Sequence, residues 1–408
     1  MNVFSIIKSS PTTPLSFFFF LLILASMDTP SPDWSTLPEH LLHCIAKRLQ
    51  TRIDTLRFRA VCKSFRSSTA PPSKPFSPRS DIKIQYPLPL TPYRHGNLLL
   101  AESTIYAVES LDASPQTTET WLLKLEELSS GKVRVGDPLF KLCSEKFSQM
   151  LPNSFNLLDY RVKEITKVYR LELESNKFDP SCFRKVAVSN ENELELGVMA
   201  LVTGGKVGLW RSKNKTWTNI DLGGNVMYFE DVTYHNKKFF AMGSDGRTIT
   251  IDPKSLKIIE VAAAVTKSNH GLLSLIRSFD DLFLIDKYWL EKFNKFGLGS
   301  DDEFCSVRVD VYRLDEERRE WIKVRDGLEE KALFLGENHS FFVEGEGFSW
   351  RKGGCIYLFD RDFSRLDFDY PAVSVVTFEL EDDNGGWSYG VSSFSKIFWP
   401  PPTWLKQN

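Results

Sequence analysis

The sequence has little net charge of either sign. It contains 51 Lys and Arg residues against 53 Asp and Glu residues among its 408 residues, and its formal net charge is -2. Nucleic-acid binding depends on a basic surface that neutralises phosphates, and no chain-wide excess of basic residues is present here. We therefore expect no nucleic acid among the main partners. A hydrophobic content of 42% over this length suffices for more than one packed core.

Motifs of thiol, metal and catalytic chemistry are also missing. The six cysteines are dispersed without a CxxC pair, and the six histidines include no HExxH pair. We expect reduced thiols in a reducing compartment, and neither a metal nor another cofactor. The segment Thr203-Gly204-Gly205-Lys206-Val207 lacks the first glycine and the hydroxyl residue of a phosphate loop and is typical of a hairpin turn. The sequence thus predicts no catalytic residues, and we do not expect an enzyme.

The apolar run from Leu15 to Ala25 is too short to span a bilayer as a helix, although its length suits the core of a signal peptide. A second methionine, Met27, opens a polar stretch that resembles an ordinary cytosolic start. We interpret residues 1–33 as a leader or upstream extension, and we expect the protein in the cytoplasm and/or nucleus with no membrane contact. The alternatives are a working secretory signal and a weak membrane anchor.

What the sequence does contain begins with a helical block over residues 34–70. Thr36 is a candidate N-cap, Pro38 suits the first helical turn, and a second helix is predicted from about Asp54. Apolar residues follow helical spacing in both helices, at Leu41, Leu42, Ile45 and Leu49 and then at Leu56, Phe58, Val61, Cys62 and Phe65. A block this short does not hold a fold without help, so we expect its apolar stripe to dock on another subunit.

The same block carries seven basic residues against two acidic ones, so that seven minus two gives a local charge of +5. This excess would complement an acidic partner surface and speed encounter with it. A solvated helix face is the alternative interpretation. Residues 71–91 are rich in proline and serine, and we interpret them as a linker.

Residues 92–408 change to short apolar runs with many aromatics, bounded by Gly, Asp, Asn and Lys, a pattern typical of antiparallel strands. Clear strands or hairpins are predicted at Gly197–Val202, Lys206–Arg211, Asp231–Met242, Thr248–Ile251, Leu282–Ile285, Val307–Leu314, Ala332–Val343, Cys355–Phe359 and Val375–Leu380. The region also repeats itself, because 206–241 and 308–343 share an aromatic-Arg strand, a Trp-initiated strand and a Phe-Phe hairpin. Such repetition indicates propeller blades, with a β-sandwich as the alternative.

Two family resemblances follow from these residues. The order LPxxLL at Leu37–Leu42 and RxVCKxFR at Arg59–Arg66 resembles the F-box, with Phe65 where that family more often has tryptophan. The later chain resembles the KIB-type β-propeller of plant F-box proteins, through Phe229–Ala241, the aspartate-containing Ser278–Ile285 and the terminal Phe398–Trp404. The expected fold is therefore mainly β, with a small N-terminal all-α module followed by a β-propeller.

The resemblance implies a non-catalytic, substrate-recognition subunit of an SCF-type E3 ubiquitin ligase. In such proteins the F-box docks on a Skp-type adaptor, and through it on cullin, while the propeller binds the target protein for ubiquitination. The residues it implies in adaptor binding are Leu37, Pro38, Leu41, Leu42, Ile45, Leu49, Leu56, Val61, Cys62 and Phe65. Two alternatives stay open: a secreted or membrane-associated β-propeller enzyme or lectin, and a propeller scaffold without ligase coupling.

Overall fold

The computed structural model describes most of the chain between residues 36 and 405. The described residues are 36–49, 52–70, 83–85, 96–111, 120–127, 133–139, 151, 159–173, 182–189, 195–221, 228–265, 272–278, 281–290, 306–324, 328, 331–344, 355–359, 375–380, 387–391, 402 and 405. The expected leader, most of the expected linker and almost all of the terminal Trp-Pro segment lie outside them. The chain divides into two units, Met1–Lys74 and Pro75–Asn408.

The described part of the first unit contains three helices, α1 (Glu39–Ala46), α2 (Arg52–Val61) and α3 (Lys63–Ser67). Pro38 rather than Thr36 holds the N-cap position of α1, where its carbonyl accepts from the amides of Leu41 and Leu42 at 3.0 and 3.2 Å. The second predicted helix is divided, because Cys62 has an extended backbone (φ -162°, ψ -179°) between α2 and α3. The periodic stripe that was expected along one helix is therefore split between two.

Three side chains form the core of this helical unit. Leu42, Phe58 and Phe65 are buried together, with the two aromatic rings 4.7 Å apart at their centroids. Partly buried residues around them complete the cluster, namely Leu37, Ile45, Ala46, Leu49 and Cys62. A core of this size is small, so each buried side chain supplies a large share of the unit's stability.

The second unit begins with a nine-stranded sheet in the order β4-β3-β2-β5-β6-β7-β8-β9, with β1 paired to β2. Its strands are β1 (Lys83–Gln85), β2 (Asn97–Ser110), β3 (Trp121–Glu127), β4 (Val133–Gly136), β5 (Tyr160–Leu173), β6 (Phe183–Val188), β7 (Gly197–Val202), β8 (Lys206–Arg211) and β9 (Thr216–Ile220). In the described part of the chain, β5 and β6 are joined by one residue pair, Tyr169 with Val186. The sheet therefore consists of two halves, sheet A (β1–β5) and sheet B (β6–β9).

Three further sheets follow. Sheet C contains β10 (Phe229–His235), β11 (Lys238–Gly243), β12 (Thr248–Ile251) and β13 (Ile258–Ala262). Sheet D contains β14 (Leu272–Ser278), β15 (Asp281–Leu290), β16 (Ser306–Asp315) and β17 (Glu320–Lys323). Sheet E contains β18 (Lys331–Leu335), β19 (Ser340–Glu344), β20 (Cys355–Phe359), β21 (Val375–Leu380) and β22 (Trp387–Val391), in the order β19-β18-β20-β21-β22. The strands and hairpins predicted from the sequence all occur.

Hydrophobic clusters between successive sheets close these strands into a ring. Leu100 of sheet A packs in one cluster with Val198 of sheet B, and Leu209 of sheet B packs with Val232 of sheet C. The same arrangement joins sheet C to D and sheet D to E. A further cluster places Phe334 of sheet E with sheet A. Because the last sheet packs on the first, the predicted β-propeller is confirmed, and a two-layer sandwich does not describe this topology.

The two sequence repeats straddle sheet boundaries. One covers the last two strands of sheet B and the first two of sheet C, and the other covers the corresponding strands of sheets D and E. Their tryptophans have matching roles: Trp217 donates its indole N–H to Gln85 O at 2.7 Å, and Trp321 donates to Gly246 O at 3.0 Å. Each therefore ties its own sheet to the preceding sheet.

Candidate functional site

The ten residues predicted for adaptor binding fall into three groups by exposure. Leu42 and Phe65 are buried in the core of the helical unit, with exposed fractions of 0% and 7%. Four pack around that core and are partly buried: Leu37, Ile45, Leu49 and Cys62. Four are exposed, and we call them the exposed apolar set: Pro38, Leu41, Leu56 and Val61. Part of the predicted set is thus buried in the unit's own core, and part is exposed at its surface.

Adjacent leucines of α1 illustrate the division. Leu41 is 39% exposed and Leu42 is fully buried. Successive residues of a helix are rotated by about 100° around its axis, so a helix that buries one of two neighbours turns the other outward. Leu56 and Val61 of α2 are 37% and 60% exposed. Single exposed apolar residues are ordinary, but here they lie within the segment that carries the F-box-like motif.

Some basic residues of the helical unit have structural roles, and others are exposed. The guanidinium of Arg59 donates to Arg66 O at 2.9 Å and to Thr69 O, and Arg66 Nε donates to Arg59 O at 3.3 Å. These two arginines satisfy backbone carbonyls at the ends of α2 and α3. Burial lowers the pKa of Arg57, and the Asp54 carboxylate opposes this shift. Exposed charge is supplied by Lys47, Arg48 and Lys63.

Phe58 and His43 were not predicted as site residues, yet both make contacts that hold the helical unit together. Phe58 fills the core between Leu42 and Phe65. His43 lies on α1 with Nδ1 3.2 Å from Ser68 O, beyond the end of α3. The periodic stripe included Phe58 and could have identified it as core, whereas no sequence signal connects His43 to a residue 25 positions later.

The β unit holds its sheets together through buried polar contacts near the inner strands. Lys185 Nζ of sheet B lies 2.6 Å from Asp231 Oδ1 of sheet C, and Asp231 Oδ2 accepts from the Leu275 amide of sheet D at 2.7 Å. Asp231 is 3% exposed. One carboxylate therefore links three sheets, and its charge is compensated by a lysine and by backbone amides.

The closure between sheets E and A has a similar polar contact. His339 is buried and its Nε2 donates to Pro138 O, while the Glu337 amide donates to Leu139 O at 2.8 Å. Burial, followed by the positive charges of Lys124 and Lys185, lowers the pKa of His339 to about 3, and the bond to Pro138 opposes this shift. The imidazole is therefore neutral at physiological pH and acts as a fixed donor.

A pair of carboxylates lies opposite each other in sheet D. Asp286 of β15 is paired in register with Asp310 of β16, and both are buried, at 5% and 9% exposure. Lys323 Nζ lies 2.8 Å from Asp310 Oδ1. Burial raises the pKa of Asp286 to about 6, the Asp310 charge adds to the rise, and Lys323 opposes it.

The segment that partly resembles a phosphate loop lies within the described residues. Thr203–Val207 forms the predicted hairpin turn between β7 and β8, with Gly204 and Gly205 at φ +94° and +68°. Among the described residues, no three His, Cys, Asp or Glu side chains are grouped so that they could hold a metal ion. Within that same part of the chain, no helix has the length and hydropathy needed to cross a bilayer.

Comparison with known proteins finds a family model for each of the two units. The F-box domain model matches residues 34–74, and the KIB1-4 beta-propeller model matches residues 100–386. Among Arabidopsis thaliana proteins, F-box protein SKIP23 is 27% identical over 91% of this chain and 95% of its own length. F-box/kelch-repeat protein At2g24250 is 30% identical over 75% of each chain. The chain therefore belongs to the family of F-box proteins with a C-terminal KIB1-4 beta-propeller.

Proposed function

We propose that this protein is the substrate-recognition subunit of an SCF-type E3 ubiquitin ligase. The F-box would dock on a Skp-type adaptor, and through it on cullin, and the propeller would hold the target protein. The observation that carries this proposal is the F-box-matched helical unit, which folds around Leu42, Phe58 and Phe65 while Leu41, Leu56 and Val61 stay exposed. Such residues are suited to insertion into a partner's groove.

The energetic contribution of this surface can be bounded. Complete burial of one such aliphatic side chain is worth about 1.5 to 3 kcal/mol, and the partly exposed leucines would gain a fraction of that value. The exposed Lys47, Arg48 and Lys63 would add electrostatic attraction to an acidic adaptor surface and raise the association rate. Leu37, Ile45, Leu49 and Cys62 pack against the core of the unit and are only partly buried, so part of each side chain would be available to the adaptor.

In this role the protein acts by proximity and carries out no bond chemistry. It would raise the local concentration of a target near the ubiquitin-charged enzyme. Loops at the rim of a propeller are the usual positions for recognition, because the sheets below hold them rigidly. The proposed site of action is the cytoplasm and/or nucleus, where such ligases work.

The test is co-purification of the full-length chain with a Skp-type adaptor. A Leu41→Asp, Leu42→Asp double variant would confuse lost binding with lost folding, because Leu42 is buried. Leu41→Asp alone is the sharper variant, and Val133→Asp is its matched control, since Val133 is an exposed apolar residue of β4 in the other unit. Wild type and Val133→Asp should retain the adaptor and Leu41→Asp should lose it. If wild type itself fails to retain the adaptor, the ligase assignment is wrong.

A further inference from the structure

The five boundaries of the ring differ in how the chain crosses them. From sheet A to B, B to C, C to D and D to E, the polypeptide runs directly from the last strand of one sheet into the first strand of the next. Sheet E comes last in the chain and sheet A comes first, so no connection between consecutive strands bridges their boundary. Sheet E ends at β22, its outermost strand, and the residues that follow β22 can cross to sheet A.

Leu405, which follows β22 in the sequence, packs on sheet A. Its side chain is 8% exposed and shares one hydrophobic cluster with residues from four strands of sheet A. Those residues are Val108 of β2, Trp121 and Leu123 of β3, Val135 of β4 and Tyr160 of β5, and Leu151 packs against the same cluster. The Leu405 amide donates to Pro402 O at 3.0 Å, and we call this segment the 402–405 turn. The chain therefore extends from sheet E back to sheet A.

Leu405 and sheet E lie on opposite faces of sheet A. Successive residues of a strand point to opposite faces of its sheet. On β2, Ala107 packs in one cluster with Phe334 of sheet E, whereas the adjacent Val108 packs in one cluster with Leu405. Both residues belong to the same end of β2, where the strand is paired with β3. This end of sheet A is therefore covered by sheet E on one face and by Leu405 on the other.

Sheet B covers the other end of the face that Leu405 contacts. Leu100 lies on the same face of β2 as Val108, and it packs in one cluster with Val198 of sheet B. Among the described residues, the cluster around Val108 includes none from sheet B, and Leu405 is buried there instead. Apolar side chains from four strands would otherwise form a contiguous apolar patch, which the surfaces of monomeric proteins rarely expose. Leu405 thus fills a position that the neighbouring sheet leaves uncovered.

We propose that the 402–405 turn is a latch that closes the propeller, with Leu405 as its anchor on sheet A. The chain after β22 is fixed to sheet E at one end and buried on sheet A at the other, so it ties the two sheets across their boundary. It acts in parallel with the direct contacts of this boundary, which include the bond from His339 to Pro138 O. A tether of this kind keeps the effective concentration of the two sheets high, so a boundary that opens closes again quickly. The latch requires neither the adaptor nor a target protein.

The experiment is hydrogen exchange, measured by mass spectrometry on the full-length Leu405→Asp variant. Amides of β2, β3 and β18, which border the closing boundary, should exchange about tenfold or more faster than in wild type, because a buried leucine anchor is lost. Leu272→Asp is the matched control, since it makes the same substitution at a leucine of β14 that is 54% exposed. It should keep wild-type rates in these three strands. Leu405→Met keeps an apolar anchor of similar volume and should keep most of the protection.

Combination with His339→Gln tests whether Leu405 acts on the boundary or on sheet A alone. If both contacts tie sheets E and A in parallel, the double variant should speed exchange in β18 by more than the product of the two single effects, because each tie compensates for loss of the other.

Two results would overturn the proposal: wild-type rates in β2 and β3 of Leu405→Asp, or a change confined to sheet A with β18 unaffected in the single variant and multiplicative in the double variant. If Leu405→Asp does not fold, as judged by circular dichroism, Leu405→Ala carries the test. Leu405→Asp should still retain the adaptor, so failure here is separable from failure of the ligase assignment.

Discussion

Replacement of the adjacent residues Leu41 and Leu42 separates folding from partner binding in the helical unit. Leu42 is fully buried against Phe58 and Phe65, whereas Leu41 is 39% exposed. Leu42→Ala removes buried methyl groups from a small core and should lower the stability of the unit by about 2 to 5 kcal/mol. Leu41→Ala should cost less than about 1 kcal/mol, since it truncates a side chain at the surface.

Hydrogen exchange measured by mass spectrometry on the full-length chain resolves this difference locally. Amides of α1–α3 that exchange through opening of the unit should speed up by about 30-fold to 3,000-fold in Leu42→Ala, at 1.4 kcal/mol per factor of ten. Peptides from the propeller serve as the internal control and should keep their wild-type rates. Leu41→Ala should leave exchange in α1–α3 within a few fold of wild type while weakening adaptor binding.

Two results would refute this reasoning. Equal acceleration of exchange in both variants would mean that Leu41 and Leu42 share one environment, contrary to their burial. Normal adaptor affinity in Leu41→Ala, with reduced affinity in Leu42→Ala alone, would mean that the buried core rather than the exposed apolar set determines binding. The measurement therefore tests the assignment of each leucine independently.

Three further predictions concern the propeller, and urea unfolding measures each. Because the pKa of His339 is about 3 folded and about 6.5 unfolded, the unfolded state binds the extra proton between those values; stability should fall as pH falls from 6.5, and His339→Gln should flatten this dependence. The pKa of Asp286 is raised to about 6, so its ionised form, which predominates at pH 7, is unfavourable in the folded protein. Asp286→Asn should therefore raise the free energy of unfolding by about 1 to 2 kcal/mol at pH 7 and by less at pH 4.5. Asp310→Asn should instead lower it, because Lys323 loses its carboxylate partner. Trp321→Phe should cost about 1 kcal/mol, since Gly246 O keeps its bond from Thr248, and an effect no larger than experimental error would contradict the proposed tie between sheets.

Local patterns predicted the strands well because their signals are short-range. The alternation and turn residues of 197–211 gave β7, β8 and the hairpin between them at their observed bounds. The helical unit was harder, because the stripe Leu56, Phe58, Val61, Cys62 and Phe65 fits one continuous helix as well as two. Spacing alone does not reveal the extended backbone of Cys62, which depends on how α3 packs Phe65 against Phe58.

The candidate sites were less predictable because their geometry depends on contacts between distant parts of the sequence. Trp217 reaches Gln85 across 132 positions, His339 reaches Pro138 across 201, and Arg277 reaches Tyr234 across 43. Each of these contacts joins one sheet to its neighbour in the ring, so none is encoded in the periodicity of a single strand. A closed ring makes such contacts interdependent, because loosening one sheet boundary changes the position of the sheets on both sides. Arg277 lies on one of these boundaries, where its bond to Tyr234 O ties sheet D to sheet C, so loss of this bond should loosen the neighbouring B–C and D–E boundaries as well.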